Sequence, residues 1–135
     1  MSGKLNLSKL LKELNPQLND GEFVFVTVAE EMVSRVDYSG VLSAFRENEG
    51  ITLVMQRAIA DKLDFPYKYV SSWITLEVYS SLDGVGLTAA FSTKLAEHNI
   101  SCNVIAGYYH DHLFVNTEDA QAAIRVLREL AKDNQ

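Results

Sequence analysis

Apolar positions along the chain follow two periods, and each change of period marks a change of element. Leu7, Leu10, Leu11, Leu14 and Leu18 recur at helical spacing, which predicts an amphipathic helix ending near Asn15-Pro16. Asn19-Asp20-Gly21 is a turn signal. The Val- and Phe-rich "EFVFVTVA" after it reads as a strand. Glu30 to Asp37 has no clear period and reads as a loop. "YSGVLSAFRE" and "GITLVM" flank Asn48-Glu49-Gly50, which predicts a β-hairpin across 38–55. "QRAIADKLDF" predicts a short helix with Ala58, Ile59 and Leu63 inward and Pro66 just beyond it.

The second half is more sharply patterned. "SWITLEVYS" alternates, with Ile74, Leu76 and Val78 on one face and Trp73, Thr75, Glu77 and Tyr79 on the other. A helix is predicted from Gly84-Val85-Gly86 to about His98, with Leu87, Ala90, Phe91 and Leu95 on one face and Asn99 as its stop. "SCNVIAGY" and "LFVN" read as strands joined by a turn at "YHDH". Thr117, with Glu118 and Asp119 behind it, is the expected cap of a last helix whose buried stripe is Ala120, Ala123, Ile124, Leu127, Leu130 and Ala131.

The order over 73–133 is strand, helix, strand, strand, helix, a ferredoxin-like β-α-β-β-α-β unit without its closing strand. The first half is the same unit without its first helix. The fold class is therefore α+β: two ferredoxin-like half-units with antiparallel-rich sheet and helices on one face. The strand near 22–29 is expected to fill the gap in the second half.

Charge and cysteine content narrow the function. The formal charge is −6 and no cluster of Lys and Arg offsets it, so no phosphate-backbone footprint is present and no nucleic-acid partner is expected. Cys102 is the only cysteine and cannot form an internal disulfide, which fits a reducing compartment. Lysines 4, 9 and 12 interrupt every N-terminal apolar run, so no signal peptide is expected. No stretch is long enough to span a membrane, and the expected location is cytoplasmic.

Several chemistries compete at the remaining polar positions. Gly84, Gly86 and Ala89 spell G-x-G-x-x-A between a strand and a helix. The dinucleotide fingerprint also needs a parallel βαβ unit and an acidic residue ending the second strand. Here that strand ends in Gly107-Tyr108-Tyr109, so no cofactor is expected. The loop still offers anion-attracting N–H groups at a helix start; equally, Ser81 or Asp83 simply caps that helix. His110, Asp111 and His112 interrupt a strongly apolar stretch. A metal needs three or four convergent ligands, and His98 and Cys102 fall at the opposite end of the sheet, so no metal is expected. No G-x-S-x-G elbow is present. A right-handed crossover places the 108–111 turn and the 80–86 loop at the same end of the sheet. N–H groups and Asp111 on one edge suit a zwitterion such as an amino acid. The alternative is that Asp111 only shapes the hairpin and the histidines are solvated.

"ITLEVYSSLDGVGLTAAFSTKLAEHNISCNVIAGYYHDHLFV" and "FRENEGITLV" (Phe45 to Val54) carry a family resemblance. Together they resemble the small stand-alone ACT-like domain family, formerly a domain of unknown function, and are similar to the tandem ACT modules of cytosolic arginine sensors. The resemblance covers nearly all of 20–130. It implies ferredoxin-like modules that bind amino acids, regulate rather than catalyse, and assemble through their sheets. It divides the chain into an N-terminal helix (1–19), an incomplete ACT-like half-unit (20–70) and an ACT-like half-unit (71–135). Matched by motif, the ligand loop corresponds to Leu82, Val85, Gly86 and Leu87, and the ligand-holding aspartate to Asp111. The sensors lack the flanking His110 and His112, which are added here as candidate ligand contacts.

The resulting expectation is a regulatory, amino-acid-binding, non-enzymatic homo-oligomer. Two alternatives stand beside it: an adaptor module that oligomerises through open sheet edges, and an enzyme using Asp111 with His110 and His112.

Overall fold

The computed structural model describes residues 3–78 and 85–134. Helices and strands follow in the order α1 (Gly3–Lys12), β1 (Asn15–Leu18), β2 (Phe23–Val28), β3 (Val41–Glu47), β4 (Gly50–Gln56), α2 (Arg57–Lys62), β5 (Val70–Glu77), α3 (Leu87–Glu97), β6 (Cys102–Ala106), β7 (Asp111–Asn116) and α4 (Ala120–Asp133). Short 3-10 turns occupy Glu30–Arg35, Tyr38–Gly40 and Thr117–Asp119. The chain forms two compact units. One is continuous, Gly21–Ser71; the other is split, residues 1–20 with 72–135.

In the continuous unit, β2 pairs antiparallel with β4 from Phe23↔Gln56 to Val28↔Ile51. β3 pairs with the other side of β4, with a register shift between Val41 and Ser43. Val70 and Ser71, the first residues of β5, pair with Val24 and Phe23. The strand order is that of a ferredoxin-like unit. Alternation puts Val24, Val26 and Val28 on the core face, with Ile51, Leu53, Met55 and Ala60. Gly50 carries φ +153, and a β-carbon there would come within 2.9 Å of the Val28 carbonyl oxygen. Only glycine lets β4 start this close to β2.

Two expectations for this unit change. The stretch read as loop from Glu30 contains the 3-10 turn Glu30–Arg35, in the chain position of the missing first helix. α2 has only six residues, too few for a full inward face; Ala60 is buried, whereas Ala58 and Leu63 are exposed. Ile59 packs against Gly40, whose absent side chain makes room for it.

The split unit has the strand order β1-β5-β7-β6. Its closing strand is β1, paired antiparallel with β5 from Asn15↔Glu77 to Leu18↔Ile74. The expectation that residues 22–29 fill this gap is therefore corrected: β1 takes the β5 edge from Ile74 to Glu77, and β2 meets β5 only at Phe23 and Val24. The N-terminal helix ends at Lys12 rather than near Asn15. Pro16, which has no N–H to give a ladder, fits a strand on the edge of this order.

One face of this sheet carries the core. Ile74, Leu76 and Val78 of the β5 stretch meet Leu87, Phe91 and Leu95 of α3 and Ala123, Ile124 and Leu127 of α4. Burying Phe91 completely contributes about 1.5–3 kcal/mol by apolar area alone. Leu11 and Leu14 join this core, with Leu7 and Leu10 partly buried against it. α3 ends as predicted at Asn99, which takes φ 59. The Asn99 N–H donates to Ala96 O and the Ile100 N–H to Leu95 O, closing a Schellman motif over two buried apolar residues. The expected Thr117 cap is not what starts the last helix: Asn116 caps the preceding 3-10 turn, its side chain accepting from the Glu118 N–H at 3.0 Å, and the helix itself begins after Asp119 with no side-chain cap. Among the described residues, no helix is long and apolar enough to cross a membrane.

Candidate functional site

The hairpin between β6 and β7 is shorter than the sequence suggests. Ala106 pairs with Asp111 and Ile105 with His112. The Gly107 N–H donates to the His110 carbonyl at 2.9 Å, so the turn is Tyr108-Tyr109. Asp111 is the first residue of β7 rather than the tip. A β-carbon on Gly107 would come within 2.8 Å of the His110 carbonyl oxygen and 3.0 Å of His112 Nε2. A glycine is what lets the two strands close here. The tyrosine rings meet edge to face, 5.0 Å between centroids, and both are exposed.

Strand alternation separates the two central residues. Asp111 shares a face with Leu113 and Val115, both fully buried in the helix-covered core. It therefore stands at the end of an apolar row. Burial pushes its carboxyl up from the ordinary range, with His112 pulling weakly the other way. An ionised Asp111 is thus short of compensating positive charge.

His112 lies on the opposite face. The Trp73 indole Nε1–H donates to His112 Nδ1 at 3.0 Å, and Thr75 Oγ1 stands 3.4 Å from the same nitrogen. An indole can only donate, so Nδ1 is the acceptor and the neutral ring carries its proton on Nε2. Asn19 supports this arrangement, donating to Thr75 Oγ1 at 3.0 Å and to the Trp73 carbonyl at 3.2 Å. Burial, then the neighbouring His110, lowers the His112 pKa, and Asp111 opposes them. His110 is half-buried, its ring 6.4 Å from that of Tyr109. Trp73 and Thr75 fall on the same strand face by alternation alone; their pairing with His112 across β5 and β7 is long-range and leaves no local signal in the sequence.

The helix entrance is built around Gly86. It takes φ +99 at the N-cap of α3 with no side-chain cap, and its carbonyl accepts from the Ala90 N–H at 2.9 Å. A β-carbon there would lie 3.0 Å from Leu7 Cδ2 of α1. This contact is invisible to local pattern. Leu87 points into the core, while Val85 is 85% exposed. Leu82 lies outside the described residues, as do Gly84, Tyr79 and the expected caps Ser81 and Asp83.

Metal and thiol chemistry gain little. Among the described residues no three His, Cys, Asp or Glu groups converge on a metal position. Cys102 pairs with Val115, at the far end of the β6–β7 ladder from Asp111. Burial pushes its thiol up to about 11, away from thiolate reactivity.

Comparison with known proteins agrees with the topology. Two models of the ACT domain match in tandem, one over residues 2–72 and one over 68–129. A crystal structure from Vibrio cholerae, described as a protein of unknown function and possible transport protein, is 47% identical. It superposes with a TM-score of 0.86 over 96% of this chain and 99% of its own. The ligand-free regulatory subunit of aspartate kinase from Thermus thermophilus shares the fold at 8% identity, with a TM-score of 0.63 over 85% of this chain and 95% of its own. Aspartate kinase from Clostridium acetobutylicum, described as an allosteric enzyme, gives 13% identity and 0.58 over 87% of this chain and 34% of its own. No curated protein matches. With two matching models in tandem and the strand order of both units accounted for, the chain belongs to the ACT domain family.

Proposed function

We propose that this protein is a regulatory amino-acid binder whose site lies in the split unit, at the edge formed by the α3 entrance and Asp111. The ligand carboxylate meets the N–H groups at the start of α3, and its ammonium meets Asp111. Val85, Gly86 and Leu87 form the loop side, Leu87 through its backbone; the remaining loop candidate, Leu82, lies outside the described residues. Leu7 occupies the α-carbon side of Gly86, so the ligand reaches this loop through its N–H groups. His110 flanks the aspartate. His112, held by Trp73 on the other face, contributes by fixing the strand that carries Asp111.

The observation that carries this reading is the half-buried carboxylate of Asp111, raised by desolvation at the end of a buried apolar row. A cationic partner relieves that cost. The contact of His112 with Thr75 places the start of β7 beside the later half of β5. The α3 entrance follows that same half of β5 in the chain. The ACT domain match and the aspartate kinase regulatory subunits among the structural neighbours support a regulatory role without catalysis. The working form is a cytoplasmic homo-oligomer, and the ligand acts by binding one arrangement of subunits better than another.

A thermal-shift screen of the amino acids tests this. One or a few are expected to raise the melting temperature, and Asp111→Asn to abolish that rise while leaving the ligand-free melting curve in place. Equal ligand stabilisation in Asp111→Asn and parent would place the ligand elsewhere.

A further inference from the structure

The hydrogen bond between Trp73 and His112 has a direction that only one protonation state supports. With a neutral ring, the Trp73 Nε1–H donates to Nδ1 at 3.0 Å. In the imidazolium both ring nitrogens carry protons and neither accepts. Two donors would then face each other at that distance, so the pair must separate. The acceptor that a protonated Nδ1 requires is already in place: Thr75 Oγ1 lies 3.4 Å away. That oxygen accepts from the Asn19 amide at 3.0 Å, and a hydroxyl has a second lone pair for the imidazolium.

The surroundings decide which partner moves. The Nε2 edge of the imidazole lies against Gly107, where a β-carbon would come within 3.0 Å of it. The main chain there leaves the ring little room to withdraw. Trp73 is only half-buried, so the indole has solvent to move into. The charges acting on the ring come from its own hairpin: His110 opposes the proton and Asp111 favours it. The flanking strands β1 and β6 carry no charged residue. The one charged residue of β5, Glu77, accepts from Asn15 Nδ2 at 3.2 Å. Trp73, Thr75, His112 and Asn19 all belong to the split unit.

We propose that Trp73, His112 and Thr75 form a proton-operated switch on the face of the split unit's sheet away from α3 and α4. With His112 neutral, the indole is docked on Nδ1. With His112 protonated, Nδ1–H turns to Thr75 Oγ1 and the indole leaves the sheet, while the unit stays folded. Acid thus changes the surface that this face offers, by one large amphipathic side chain of the kind enriched at interfaces. The switch depends on none of the ligand contacts proposed at the α3 entrance.

Trp73 is the only tryptophan, so its fluorescence reads the switch directly. Between about pH 7.5 and 5, its emission is expected to move to longer wavelength in one step, with the dispersion of the amide NMR spectrum retained. His112→Gln offers the indole a carbonyl oxygen at every pH and should abolish the step. The exchange of partners has a signature of opposite signs in the His112 titration, followed by the imidazole Hε1 resonance. Trp73→Phe removes the donor that favours the neutral ring and should move the midpoint to higher pH. Thr75→Val removes the acceptor for the imidazolium and should move it to lower pH. Each shift is expected to be about half a pH unit or more, the scale of one hydrogen bond. Absence of the step, its survival in His112→Gln, midpoints that stay put or move the same way in the two variants, or a step that coincides with loss of amide dispersion would each overturn the proposal.

Discussion

The two units share a strand order but meet its requirements differently. The continuous unit replaces its first helix with short 3-10 turns, beginning with Glu30–Arg35 directly after β2. The split unit keeps a full helix after its first strand, α3, and takes its closing strand from the N-terminal segment. The difference bears on chemistry as well as architecture. At the α3 entrance a bare glycine occupies the N-cap. At the corresponding turn of the continuous unit the first residues are Glu30 and Glu31, which repel an anion. Two copies of one topology therefore offer a ligand carboxylate opposite receptions.

The most forceful way to break this comparison is to remove the anchor of the helix that only one unit has. Phe91 is fully buried in the α3 core. Phe91→Ala is expected to cost about 3–5 kcal/mol, read by chemical denaturation of the full chain. A loss below about 1 kcal/mol would mean that α3 is as dispensable as its missing counterpart.

Gly86 comes next. Its φ of +99 and the Leu7 contact at 3.0 Å make Gly86→Ala doubly unfavourable. The expected loss is about 1–3 kcal/mol, and a Leu7→Ala background should recover part of it, because the steric component then disappears. Full additivity of the two changes would argue against the contact.

A smaller effect is expected from acid. The folded-state pKa of His112 lies below its ordinary value of 6.5. Above that value neither state is protonated and His112 adds no pH dependence. As the pH falls below 6.5 the unfolded chain binds a proton first, so stability declines through the folded-state pKa. Protonation at Nδ1 also breaks the Trp73 bond. His112→Gln should flatten this part of a stability profile taken between pH 7.5 and 5. Asp111 has the opposite sign: its raised pKa makes the ionised form a cost near neutrality, and that cost fades as the pH falls through its folded-state value.

The smallest effect sharpens the site itself. Asp111→Asn removes a desolvated charge and should change ligand-free stability by no more than about 0.5 kcal/mol. If the proposed ammonium contact is right, an NMR titration of the Asp111 carboxyl should show its pKa falling when amino acid is added. An unchanged value with ligand bound would argue against that contact.

Much of this molecule is legible in its sequence. β5, α3 and α4 each show a strong local period, and their buried residues Ile74, Leu76, Phe91, Leu95, Ile124 and Leu127 are the ones the pattern selects. The Asn99 stop follows from asparagine's tolerance of left-handed backbone. β1 was missed because four residues containing a proline carry almost no strand signal; only pairing with β5, some sixty residues later, makes them one. In the candidate site the alternation of Asp111 and His112 was readable. The Leu7–Gly86 and Trp73–His112 contacts were not, since both join residues far apart in sequence.

The interruption of one unit by the other also bears on the order of folding. The pairings of β2 with β4, of β3 with β4 and of β2 with the start of β5 all lie within Gly21–Ser71, so they can form during synthesis as soon as Ser71 emerges. α1 and β1 precede that stretch in the chain, yet the helices and strand that they pack against or pair with all follow it. Leu7, Leu10, Leu11 and Leu14 are thus made well before the residues they pack against, and their apolar surface waits for those later segments.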